Sequence, residues 1–72
     1  MDLSKYDVEI KHHVFIRALE RNIHPDLIED TLQKGKIERF GKHYVRFSSR
    51  LLICIGELTG LKLKIITIEL KK

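Results

Sequence analysis

Three residues that handle protons and anions recur at a spacing of four early in the chain: His13, Arg17 and Arg21. On an α-helix this spacing places them in one stripe, because each step of four residues drifts by only about 40°. An imidazole gives or takes a proton near neutral pH, and a guanidinium forks onto phosphate oxygens. The stripe therefore suits the handling of a phosphate. Ordinary helices also carry histidines and arginines on their wet faces, so a solvated face is the plainer alternative.

A helix predicted from about Lys11 to Asn22 positions this stripe. Its apolar residues lie on roughly the opposite side, which indicates an amphipathic helix with that side turned to a core. They are Phe15, Ile16, Ala18, Leu19 and Ile23. A second helix is predicted to begin at Pro25, a residue suited to a first helical position, and to stop at Gly35.

The same stretch resembles a family of small prokaryotic domains of unknown function, which is similar to the RelE/ParE-type (BrnT-like) toxins. The shared pattern is H-x-x-x-R-x-x-x-R-G-I, then a short second helix and a strand meander, from about residue 10 to about residue 70. The residues that match are His13, Arg17, Glu20, Arg21, Ile23, the segment 25–29 and Gly35. Asn22 stands where the pattern has Gly, and Asn tolerates a left-handed backbone better than most residues.

The resemblance implies a toxin-like fold and metal-independent cleavage of RNA. In such an endoribonuclease His13 would transfer the proton, while Arg17 and Arg21 would hold the phosphate and stabilise its developing charge. A toxin of this type is normally restrained by a protein antitoxin.

After Gly35 the hydrophobic period changes to two, which indicates strands. The predicted strands are 37–40, 43–47, 51–55 and 61–70, with Gly41-Lys42 as a tight hairpin turn. In the second strand His43, Val45 and Phe47 are predicted to face one way, while Tyr44 and Arg46 face the other. The alternation of the last strand slips by one residue after Ile65, which predicts a β-bulge or a strand that bends.

These elements predict an α+β fold in one domain, residues 1–72. Two N-terminal helices pack on one face of an antiparallel meander of about four strands, after an extended lead-in. The other face would present four candidate nucleic-acid-binding residues: Tyr44, Arg46, Lys62 and Lys64. A helix-turn-helix is a weaker alternative, because its usual context is all-helical or winged.

The formal net charge is +4, and it is unevenly distributed. Residues 1–33 hold four basic and seven acidic side chains, residues 34–50 hold six and one, and residues 51–72 hold four and two. The basic middle block favours a polyanionic partner such as RNA. Lysine-rich strands also protect sheet edges from aggregation, so the block has a purely structural alternative.

Several classes of protein are disfavoured by composition. No apolar run approaches the ~18–20 residues of a membrane span. The single Cys54 cannot form an internal disulfide, which favours a reducing cytoplasm. The four histidines lack the spacing of metal ligands, and no phosphate-binding glycine loop is present, so neither a metal nor a cofactor is expected.

Three hypotheses of function follow. The first is a toxin-type endoribonuclease that acts on RNA and is held by an antitoxin. The second is a non-catalytic module that binds nucleic acid or protein through the basic block. The third is a partner domain whose polar stripe is simply solvated. The sequence leaves open whether the protein forms homo-oligomers.

Overall fold

The computed structural model describes residues 3–71. Within them the chain forms a short 3₁₀ turn (Leu3–Lys5), two α-helices and five strands. The helices are α1 (His12–Glu20) and α2 (Pro25–Lys34). The strands are β1 (Asp7–Ile10), β2 (Lys36–Phe40), β3 (Tyr44–Ser48), β4 (Leu52–Thr59) and β5 (Lys62–Leu70). The predicted α+β class is confirmed.

The strands form one sheet in the order β1-β5-β4-β3-β2. Strands β2 to β5 are an antiparallel meander, whereas β1 pairs in parallel with the first half of β5. The sheet thus has five strands rather than about four. The predicted extended lead-in is the extra strand, because Val8 and Ile10 alternate over a stretch too short to give a strong signal.

One hydrophobic core joins the helices to the sheet. Its strand residues alternate along β3, β4 and β5, so they lie on a single face of the sheet, here called the covered face. Helix α1 contacts β5, and α2 contacts β3 and β4. The buried apolar side chains are Val14, Ala18, Ile23, Ile28, Leu32, Val45, Phe47, Leu52, Cys54, Leu58, Leu63, Ile65 and Ile68.

The buried side of α1 differs in part from the predicted one, since Ala18 and Ile23 are buried as expected while Ile16 and Leu19 are not. Val14 and Ala18 are 1% exposed, whereas Ile16 is 44% and Leu19 is 69% exposed. Only Lys11 separates β1 from α1, and its backbone N–H donates to the Ile65 carbonyl at 3.2 Å. This short connection restricts how α1 can rotate, and the rotation it adopts places small side chains against β5.

The two helix ends are built differently. At the start of α2, the His24 ring accepts a hydrogen bond from the Asp26 backbone N–H at 3.1 Å, so His24 caps the helix. At its end Gly35 has an extended backbone (φ −70°) rather than the left-handed turn typical of such glycines. A Cβ there would lie 2.8 Å from the Ser48 carbonyl oxygen, so close packing explains the glycine.

One hairpin turn and one β-bulge determine which side chains meet on the sheet. The β2–β3 hairpin has a three-residue loop, Gly41 to His43, in place of the predicted two-residue turn, and it pairs Phe40 with Tyr44. The predicted bulge in the last strand is confirmed. Gly56 pairs with Ile65 and Ile55 with Thr67, which leaves Ile66 as the extra residue.

Candidate functional site

The first predicted site residue, His13, lies where α1 meets the bulge of β5. Its Nε2 is 2.9 Å from the Ile66 carbonyl oxygen. A carbonyl only accepts, so Nε2 carries the hydrogen in this contact. In the neutral imidazole the basic nitrogen is therefore Nδ1. The contact also ties α1 to β5, which gives His13 a structural role whether or not it transfers protons.

Arg17 and Arg21 follow His13 along α1 and are both exposed. Arg21 lies just beyond the helix, which ends at Glu20 rather than at Asn22 as predicted. Asn22 takes the left-handed conformation (φ 57°) that the glycine of the motif would take. The Ile23 and Asn22 N–H groups donate to the Ala18 and Leu19 carbonyls at 2.8 and 3.2 Å.

These bonds form a Schellman motif, which ends α1 in a defined turn. It accommodates Asn22 in the left-handed conformation. The stripe of His13, Arg17 and Arg21 is therefore held at both ends. His13 is bound to the Ile66 carbonyl of β5, and Arg21 lies in the turn that ends α1.

The second predicted group lies on the opposite face of the sheet, here called the open face. Cross-strand partners order its side chains into two neighbouring rows. The Arg46 row contains Glu38, Arg46, Ile55 and Thr67. The Tyr44 row contains Phe40, Tyr44, Glu57, Lys64 and Glu9. Lys62 lies beyond the Tyr44 row, between Asp7 and Thr59.

Aromatic rings and one ion pair dominate the β2–β3 end of the open face. The Phe40 and Tyr44 rings are stacked, with centroids 5.5 Å apart and planes 19° apart. They remain 45% and 38% exposed. In the neighbouring row the Arg46 Nη2 donates to the Glu38 carboxylate at 3.0 Å. Large apolar rings left in water beside a guanidinium are a feature that core packing does not require.

Arg46 is only partly satisfied by this pair. Its Nε is shielded from solvent and has no hydrogen-bond partner among residues 3–71. A cavity of about 300 Å³ opens beside it, lined by Glu38, Arg39, Phe40, Arg46 and Ile55. An ion pair, an aromatic ring and the apolar side chain of Ile55 thus share this cavity.

The two predicted lysines have acidic neighbours. Lys64 lies between Glu57 and Glu9, and Lys62 is paired across the strands with Asp7. A hydrogen bond and the charge of Lys11 lower the pKa of the Glu9 carboxyl, and Lys62 and Lys64 add to the effect. The two lysines at this end of the open face therefore lie among carboxylates, although neither takes part in an ion pair within residues 3–71.

Positive charge without acidic cross-strand neighbours lies around the edge strand β2. Lys36, Arg39 and Lys42 are exposed and take part in none of the ion pairs within the described chain. The basic block is thus split. Arg46 lies on the open face and pairs with Glu38, while these three residues lie along the edge strand β2 and its hairpin, with Arg39 opposite Val45 of the covered face.

The α1 stripe and the open face do not converge on one compact site. Thr67, at the end of the Arg46 row, directly follows Ile66, whose carbonyl binds His13. Arg46 lies two strands away from Thr67, at about 10 Å given the usual strand spacing. The structure therefore places His13 at one end of a row and Arg46 towards the other.

Sequence reasoning missed Phe40, Glu38 and Ile55. A two-residue turn would have paired Ile37 with Arg46, whereas the three-residue loop pairs Ile37 with Phe47. The need to keep Ile37 on the covered face is the signal that distinguishes the two registers.

Other chemistry is scarce in the described part of the chain. No group of three or more His, Cys, Asp and Glu side chains within residues 3–71 is placed to hold a metal ion. None of the helices described is both long and apolar enough to cross a membrane. The Cys54 thiol is buried, and burial raises its pKa to about 12. It is a core residue rather than a nucleophile.

Comparison with known proteins found no matching family model, no matching curated protein and no matching solved structure. Function is therefore inferred from the two surfaces described above and from the motif on α1.

Proposed function

We propose that this protein binds single-stranded RNA across its open face. The observation that carries the proposal is the exposed, stacked Phe40–Tyr44 pair beside the Arg46 guanidinium. Unpaired bases stack on aromatic side chains presented by a sheet, and each such contact contributes about 1–3 kcal/mol. A duplex cannot use this surface in the same way, because its bases are already stacked.

The charges around the open face suit the backbone of the same strand. Lys36, Arg39 and Lys42 lie along the edge strand β2 and in its hairpin loop, which is the strand that carries Phe40. In this arrangement the bases lie on the rings while the phosphates follow the basic border. If each of these three residues contacts one phosphate of a single strand, the logarithm of the association constant should fall with the logarithm of the salt concentration at a slope of about −2.

Fluorescence anisotropy with a labelled single-stranded RNA tests this proposal. Replacing Tyr44 by Ala removes half of the stacked pair and should weaken binding about tenfold. Leu61→Ala is a matched control, because Leu61 is 68% exposed and lies in the turn before β5. Equal affinities of the Tyr44 and Leu61 variants, or no salt-dependent binding by the wild-type protein, would contradict the proposal.

A second candidate function is supported by the contact of His13. With Nε2 donating to the Ile66 carbonyl, the neutral ring keeps Nδ1 available as a base, one helical turn from Arg17. Cleavage of RNA without a metal requires proton removal from the 2′-hydroxyl, stabilisation of the charged phosphorane and protonation of the leaving oxygen. His13 would accept the 2′-hydroxyl proton at Nδ1 and return it to the leaving oxygen, while Arg17 and Arg21 would stabilise the charge of the phosphorane, as in the toxin-type endoribonuclease that the motif implies.

The endoribonuclease candidate implies a protein partner and a cellular location. A cytoplasmic nuclease of this type would be held inactive by an antitoxin protein.

Incubation with labelled RNA in EDTA tests the catalytic candidate. His13→Gln should abolish cleavage, because Gln can still donate to the Ile66 carbonyl but cannot exchange protons. His12→Gln is the matched control, since His12 is the exposed neighbour on α1. Cleavage that survives in the His13 variant excludes this mechanism and leaves the RNA-binding proposal in place.

A further inference from the structure

The cavity between β2, β3 and β4 combines three features of a site for one nucleobase. Its volume of about 300 Å³ is at the lower end of the range for ligand pockets. The Ile55 side chain contributes an apolar surface, and Phe40 contributes a ring that is itself stacked on Tyr44. Glu38 and Arg46 supply an acceptor and donors side by side.

We infer that this cavity binds an unpaired guanine base, an inference that rests on the proposed RNA-binding function. Guanine alone among the four RNA bases presents two adjacent donors, N1–H and N2–H, and two adjacent acceptors, O6 and N7. A carboxylate accepts from the donor pair, and a guanidinium forks onto the acceptor pair. The cavity supplies one of each.

The hydrogen-bonding capacity left on the two side chains is sufficient for this contact. Only one oxygen of the Glu38 carboxylate is bound to Arg46, so Oε1 and the remaining lone pairs are available. The bond to Glu38 uses one hydrogen of the Arg46 Nη2, so the second Nη2 hydrogen and the Nη1 group can fork onto an acceptor pair. The Arg46 Nε–H is shielded from solvent and takes no part in the contact.

The other three bases match the pair less well. Adenine and cytosine each offer a single amino donor group to a carboxylate, and uracil offers one ring N–H. None of them can engage the carboxylate through two adjacent donors while a guanidinium forks onto two adjacent acceptors. Glu38 is therefore the residue that determines specificity, and Arg46 anchors the base.

The test compares labelled oligouridines that differ only in one central base: guanine, inosine or adenine. The guanine oligomer should bind the wild-type protein about tenfold more tightly than the adenine oligomer. Inosine lacks the 2-amino group and should lose much of that advantage. In the Glu38→Gln protein the affinities for guanine and adenine should converge to within about twofold.

Glu57→Gln is the matched control, because Glu57 lies on the open face outside the cavity and should leave the preference for guanine intact. Circular dichroism of each variant checks that the fold is retained.

The outcomes separate this inference from the proposed function. If the wild-type protein binds both oligomers equally and with salt dependence, the guanine site is wrong and RNA binding stands. If a guanine preference persists in the Glu38→Gln protein, the base is recognised elsewhere and the inference is also overturned. If no oligomer binds, both the inference and the proposed function fail.

Discussion

Alternate residues of the same strands form two faces of the sheet that differ in almost every physical property. On the covered face, Phe47 and Cys54 are fully buried. On the open face, their neighbours Arg46 and Ile55 are only partly buried, and Tyr44 is 38% exposed. One face contributes the stability of a 72-residue chain, which has little apolar surface to spare. The other keeps aromatic and charged groups accessible, as the proposed binding of RNA requires.

The largest expected contrast is in thiol reactivity. Cys54 on the covered face should react with Ellman's reagent only when the chain opens, which slows the reaction by about 10³-fold or more relative to an accessible thiol. A cysteine introduced by Ile55→Cys, one residue along and on the open face, is the control and should react rapidly. Similar rates of reaction at the two positions would show that the covered face is accessible to solvent.

The same thiol predicts a loss of stability at high pH. Burial raises the pKa of Cys54 from 9.0 to about 12. The unfolded chain therefore loses this proton first, so the contribution is intact below pH 9 and is lost as the pH rises towards about 12. Urea denaturation of the wild-type and Cys54→Ala proteins between pH 7 and pH 11 should show a steeper decline for the wild type. Parallel curves would exclude this linkage.

Truncation of one residue on each face should give a difference of several kcal/mol. Phe47→Ala leaves a cavity in the core and should lower the free energy of unfolding by about 3–5 kcal/mol. Tyr44→Ala, three residues earlier on the other face, should cost about 1 kcal/mol, because its ring is already partly in water. Chemical denaturation followed by circular dichroism measures both, and equal losses would mean that the open face is part of the core.

The smallest expected effect concerns the attachment of α1 over the covered face. Asn22→Gly should raise the free energy of unfolding by about 0.5 kcal/mol, because glycine adopts φ 57° without strain. The gain is small because glycine also increases the conformational entropy of the unfolded chain. Arg21→Gly is the control and should destabilise, since Arg21 has φ −102° and gains nothing from glycine. Loss of stability in the Asn22 variant would contradict the Schellman interpretation.

The sequence predicted best where one physical requirement dominated. Alternation separated Val45 and Phe47 from Tyr44 and Arg46, and the slip after Ile65 located the bulge. The rotation of α1 was missed because it depends on the one-residue connection at Lys11, which is a tertiary constraint.

The candidate site was predicted only in part for a similar reason. The aromatic pair depends on a hairpin loop that is one residue longer than predicted. That single residue decides whether Phe40 meets Tyr44 or His43. The acidic neighbours of Lys62 and Lys64 depend on the parallel pairing of β1, a contact between distant parts of the chain.

The most direct test of the central claim is a titration of the ¹⁵N-labelled protein with single-stranded RNA, followed by amide chemical shifts. Binding on the open face predicts that the largest changes cluster around Tyr44, Arg46 and Ile55, while α2 is unaffected. Changes confined to α1 between His13 and Arg21, or no changes at all, would contradict RNA binding on the open face.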